Sequence, residues 1–247
     1  MSRIRANALA LGSSFFTTAF LAFLQVKILT NHLDQTSFGV WSAVIAVGAL
    51  LATLSELGLP WVLVRYGAKF DAEGRLVRLF KLWTFAVRVY FLALLGMLVL
   101  LILVGPGIAK VLGGGQVDRW LLVLGYLTVA SGSLRAFNNA SFRGLRRMVF
   151  IAALEITFAA LVTLGYFVLR EHLSVPLVLS IALGSGLLIA GLGITILLRL
   201  LIQLRRESDP GVLDPPILPE IRGFWQGSAF AGIFLVAIEQ LDKPLLA

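Results

Sequence analysis

Ten ionisable or amide side chains sit where the surrounding residues are apolar, and they are the residues of this chain that could do chemistry. Glu56, Arg88, Arg135, Asn138, Asn139 and Glu155 interrupt hydrophobic runs, with Arg65 just beyond one of them. Lys27, Glu239 and Asp242 lie in two further runs. A charged side chain at mid-membrane costs about 2.5 to 3.5 kcal/mol even on the lowest scales, so such residues turn toward protein or water and mark functional sites by default. Arginine presents a rigid fork that donates paired hydrogen bonds to phosphate oxygens and keeps its charge when partly dehydrated. Arg65, Arg88 and Arg135, with Asn138 and Asn139 at i+3 and i+4 from Arg135, are therefore the expected ligands of an anionic, diphosphate-class headgroup. Glu56 and Glu155 are expected as polar lining or as structural partners of an arginine, Arg88 with Glu155 being one pairing. Glu239 and Asp242 share a helical face, and with Lys27 opposite they form a candidate site for a coupling cation or proton.

The elements that carry these groups are membrane helices. The chain has 247 residues, 59% of them hydrophobic, and a mean hydropathy of +0.94, beyond the roughly 45 to 50% apolar share of soluble domains. Runs long enough to cross a bilayer, about 20 apolar residues, fall at 8–30, 38–64, 82–104, 120–139, 149–169 and 177–198. A seventh begins near residue 224 and continues to 247. The segment at Gly58, Leu59 and Pro60 should break the second run. Residues 75–83 alternate cations with apolar side chains, as an interfacial lead-in helix would. Residues 1–206 thus form one six-helix transmembrane lobe, 207–221 a proline-rich linker, and 222–247 the first helix of a second, truncated lobe. The fold class is an all-α polytopic membrane protein.

Charge orients this bundle and excludes other classes. The net charge is +8, but the basic residues lie between apolar spans rather than on one polar face, which argues against nucleic acid. Most of them fall in loops on the side of the N-terminus, so the positive-inside rule places that terminus in the cytoplasm. The absence of cysteine excludes disulfides and thiolate metal sites. Gly113, Gly114 and Gly115 lack the Lys-Ser/Thr of a phosphate-binding loop. His32 and His172 have no supporting cluster, so no metal or other cofactor is expected, and no catalytic triad is visible in the short outer loops.

Several stretches resemble the polysaccharide-biosynthesis, O-antigen flippase-like family of the MATE-like transporter superfamily. They are residues 29–41 (Leu-Thr-Asn-His-Leu-Asp-Gln-Thr-Ser-Phe-Gly-Val-Trp), Glu56-Leu57-Gly58-Leu59 followed by Arg65, residues 142–147 (Phe-Arg-Gly-Leu-Arg-Arg), and Leu154-Glu155. The resemblance implies two six-helix lobes around a cavity open alternately to each side, in the plasma (inner) membrane. It implies a polyprenyl-diphosphate-linked oligosaccharide as cargo, flipped to the outer leaflet, a non-enzymatic role, and polysaccharide polymerase and glycosyltransferase partners. A lipid II flippase or cation-coupled exporter of the same fold is the nearest rival. A membrane glycosyltransferase or polymerase, or a non-transporting assembly subunit, is the alternative from another class.

Overall fold

The computed structural model describes the backbone of residues 2–113, 117–206 and 217–245, and side chains at 11–111, 117–203 and 217–234 apart from Leu76 and Ile233. Among the described residues it is helical apart from short connections: α1 (Ser2–His32), α2 (Gln35–Glu56), α3 (Leu59–Ala72), α4 (Leu76–Gly113), α5 (Arg119–Gly144), α6 (Met148–Val168), a 3-10 turn at Arg170–His172, α7 (Val175–Arg206) and α8 (Leu218–Leu245). Six of these helices, α1, α2 and α4 to α7, are long and apolar enough to cross a membrane among the described residues. The protein is an all-α polytopic membrane protein. Its surface agrees, since α1 turns Phe15, Phe16, Phe20 and Phe23 outward at 61 to 75% exposure, tolerable only against lipid.

Local sequence sets the boundaries. Asp34 caps α2 by accepting a hydrogen bond from the Ser37 amide at 3.1 Å, which satisfies one of the orphan donors of the first turn. The second apolar run is indeed broken, into α2 and α3. Leu57 and Gly58 both take left-handed backbone angles, φ 47° and 68°, and Pro60 opens α3, where its missing amide hydrogen costs nothing. Elsewhere the helices outrun their apolar cores. The expected lead-in at residues 75–83 is continuous with the third span, because no glycine or proline separates Leu76 from Leu95. That helix then passes Pro106 and reaches Gly113, so much of the expected outer loop is helix. Gly114 and Gly115, and the linker residues 207–216, lie outside the described residues.

Helix α5 is the hub. It packs broadly on α2, α3 and α7 and also touches α4 and α6. Small residues let the backbones close: a Cβ on Gly125 would strike Val44 of α2, and one on Gly186 of α7 would strike Ser131. Without a hydrophobic drive between helices in lipid, this close packing and a few interhelical hydrogen bonds hold the bundle. Thr128 Oγ1 donates to the Leu179 carbonyl at 3.1 Å, and Asn138 Nδ2 to the Ala190 carbonyl at 2.9 Å. By contrast α1 leans almost wholly on α6, fastened where Gln25 Nε2 donates to Ala159 O at 3.1 Å and Thr163 Oγ1 at 3.0 Å. A cleft therefore stays open between α1 and α5.

Candidate functional site: a polar groove along α5

One stripe of α5 faces that cleft: Gly132, Arg135, Ala136, Asn139 and Arg143, the i, i+3, i+4, i+7 and i+11 positions of a helix. The opposite walls are Leu11, Ser14, Phe15 and Thr18 of α1 and Ile151 and Glu155 of α6, around about 410 Å³. A neighbouring hollow of about 400 Å³ is lined by Glu56, Thr128, Val129 and Ser133, and by the same Gly132, Arg135 and Ala136. The two share a wall, so a single polar furrow runs from Glu56 past Arg135 to Glu155 and Arg143.

Arg135 is its centre. The side chain is only 14% exposed, and Nη1 donates to Glu155 Oε2 at 2.7 Å. The other carboxylate oxygen, Oε1, accepts from Asn139 Nδ2, also at 2.7 Å. The guanidinium carbon lies 3.3 Å from the centroid of the Phe158 ring, a cation-π platform that fixes the plane of the fork. Arg135 Nε has no hydrogen-bond partner among the described residues. Pairing with Glu155 makes the buried charge tolerable, and the glycine at 132 leaves the space beside Nη2 open. A stack and an ion pair thus hold the guanidinium in the wall of the groove, with Arg143 supplying a further cation at the groove's end.

The structure brings together Glu56, Arg135, Asn139 and Glu155 of the residues singled out by sequence. It pairs Glu155 with Arg135 and Asn139 rather than with Arg88. Asn138 points elsewhere: positions i+3 and i+4 lie 100° apart around a helix, so when Asn139 reaches α6, Asn138 reaches α7, where it is buried. Arg88 is exposed on the face of α4 that also carries Phe91, Leu92 and Leu95, and does not line the groove. Arg65 is exposed, with its guanidinium 4.4 Å over the Phe224 ring of α8. Lys27 is exposed on α1, and the side chains of Glu239 and Asp242 lie outside the described residues. Sequence reasoning missed Ser14, Thr18 and Phe158. Phe158 lies at i+3 from Glu155, a spacing that could have revealed it.

A second polar cluster lies at the basic end. Glu220 of α8 receives Lys69 Nζ on Oε1 at 2.7 Å and Arg78 Nη1 on Oε2 at 2.8 Å. The Lys69 hydrogen bond, aided by the charges of Lys69, Arg78 and Arg75, holds the Glu220 carboxyl below the usual glutamate range. The same bond raises the Lys69 ammonium above the usual lysine value.

Fold and groove together define a multi-pass helical membrane protein with an open, arginine-centred polar groove. The chain belongs to the polysaccharide biosynthesis protein family, whose profile matches residues 4–208, from α1 through α7. No curated protein and no solved structure is significantly similar to it.

Proposed function

We propose that the protein is a flippase component that carries a polyprenyl-diphosphate-linked oligosaccharide from the cytoplasmic to the outer leaflet by alternating access. The observation that carries this reading is the Arg135 centre, a guanidinium lining an open groove of a polysaccharide-biosynthesis protein. A diphosphate entering the groove competes with Glu155 for the fork, while Asn139 holds the displaced carboxylate and Arg143 adds charge at the mouth. The positive-inside bias supports a cytoplasmic N-terminus, which puts the Arg143 end on the side where the lipid-linked sugar is built.

The test is transbilayer movement of a fluorescent lipid-linked oligosaccharide in vesicles containing the reconstituted protein. Arg135→Ala should slow movement roughly 10- to 100-fold, the value of one or two charge-assisted hydrogen bonds of about 1.5 to 3 kcal/mol. Arg88→Ala, outside the groove, should change it far less. Parental movement in Arg135→Ala, or sugar transfer to a lipid acceptor without movement, overturns the proposal.

A further inference from the structure

Helix α4 carries a cationic face that the groove does not use. Leu82, Ala86 and Tyr90 are buried against the bundle, so Arg88, about 200° around the helix from Ala86, points away from it. It is exposed, as is Lys81 at i−7 on the same face. Neither makes an ion pair or a hydrogen bond among the described residues, and the helix contains no aspartate or glutamate. Beyond Arg88 the stripe continues with Leu92, Leu95 and Val99, 49 to 70% exposed. Length fixes the level of these groups. Residues 89–109 carry no charge and span about 31 Å at about 1.5 Å per residue, close to the roughly 30 Å of a hydrocarbon core. A bilayer matched to this stretch puts Arg88 at one boundary and Lys110 at the other. Side chains of a helix tilt toward its N-terminus, so Arg88 reaches out of the hydrocarbon toward Lys81, about 10 Å away along the axis. The headgroup layer, roughly 5 to 8 Å deep on each side, falls between the two cations.

We propose that Arg88 and Lys81 bind the phosphate of an anionic phospholipid in the leaflet at the basic end, with an acyl chain lying along Leu92, Leu95 and Val99. Charge decides the occupant, since two exposed cations with no counter-ion on their own helix attract anionic headgroups at the membrane surface. The fork of Arg88 donates paired hydrogen bonds to phosphate oxygens, and Lys81 adds a mobile point charge. The apolar stripe fits the tail: from Arg88 to Val99 is about 16 Å, against about 15 Å for the hydrocarbon of one leaflet. A carboxylate on a partner helix is the weaker occupant, because at this level lipid phosphates and water compete for the guanidinium. The site requires only that the chain spans a bilayer and does not depend on the transport reading.

The chain has no cysteine, so Leu95→Cys gives a single attachment point for a fluorophore on the stripe. In phosphatidylcholine vesicles containing a minor fraction of brominated phosphatidylglycerol, a lipid held at Arg88 brings its heavy-atom quencher to the dye. Quenching should exceed that from the same fraction of brominated phosphatidylcholine. Arg88→Gln should lower this preference roughly fivefold, the equivalent of about 1 kcal/mol per cation near the surface. Lys81→Gln should lower it by a similar factor, and Arg88→Lys should keep most of it. A dye at Phe16→Cys, exposed on α1, should report a preference that none of these substitutions changes, which also shows that the variants are folded. Equal quenching by the two lipids at position 95 in the parent overturns the site. So does a preference there that survives both Arg88→Gln and Lys81→Gln, whether or not the protein moves lipid.

Discussion

Replacing Glu155 by Gln should destabilise the protein chiefly by stranding Arg135. The carboxylate now accepts two hydrogen bonds at 2.7 Å, from Arg135 Nη1 and Asn139 Nδ2. Glutamine offers one acceptor oxygen for these two donors and turns an amide hydrogen toward the other. Removing one member of a fully buried ion pair costs about 3 to 5 kcal/mol. Here the Glu155 side chain is 30% exposed and the groove is open, so solvent screening reduces the expected loss to about 2 kcal/mol. In detergent this corresponds to a thermal midpoint lower by roughly 4 to 8 °C. The double variant Arg135→Gln with Glu155→Gln should recover much of that loss, because no uncompensated charge remains. A coupling of about 1 to 2 kcal/mol between the two sites is the expected result of the cycle. If Glu155→Gln melts with the parent, or if the two substitutions simply add, Arg135 does not depend on Glu155 and the ion pair is incidental.

Other outcomes follow from packing and from titration. Gly186→Leu should lower stability by about 1 to 3 kcal/mol, since any side chain there meets Ser131; adding Ser131→Gly should restore part of it, and unchanged melting of Gly186→Leu refutes the close α5–α7 contact. The Glu220 bridge should be insensitive to pH across the neutral range. Glu220 is depressed, so its contribution is complete above about pH 4.3 and fades only as pH falls through its lowered value. Lys69 is raised, so its share is complete below about pH 10.4 and fades only as pH rises through its raised value. The groups that face the carboxylate and the ammonium are Lys69, Tyr66, Arg75, Arg78 and Glu73, and none of them is a histidine. In a variant keeping only Trp225, with phenylalanine at the other four tryptophans, emission should stay flat between these limits; a transition near pH 6 to 7 contradicts the bridge.

The spans could be read directly because a bilayer imposes a length, and long apolar runs separated by basic loops leave little freedom. The break at Gly58 and Pro60 was equally legible, and charged groups in apolar runs had to find one another or water, but the partner was not legible: Glu155 takes Arg135 and Asn139 in place of Arg88. What sequence could not supply was azimuth. Depth along α4 placed Arg88 correctly within the helix, but which face meets α5 depends on neighbours, and the neighbours put Arg88 outside. Asn138 was assigned to the wrong side for the same reason, through a difference of one residue. Ser14 and Thr18 escaped notice because each hydroxyl satisfies itself on its own helix, donating to Leu11 O at 2.9 Å and Ser14 O at 2.8 Å, so neither disturbs an apolar run. The Glu220 bridge joins residues 142 and 151 positions apart, and no local pattern announces it.

The tether of α1 to α6 has a bearing on how the protein is made. Gln25 finds its acceptors 134 and 138 residues further along the chain, and at ribosomal rates of about 5 to 20 residues per second roughly 7 to 30 seconds separate their synthesis. During that interval the first helix has entered the bilayer with a polar amide and no companion, so it must linger beside the translocon or at the headgroup layer until its mate arrives. Biogenesis of this bundle is then gated by the sixth helix, and nascent chains arrested before Ala159 should leave the first helix loosely held.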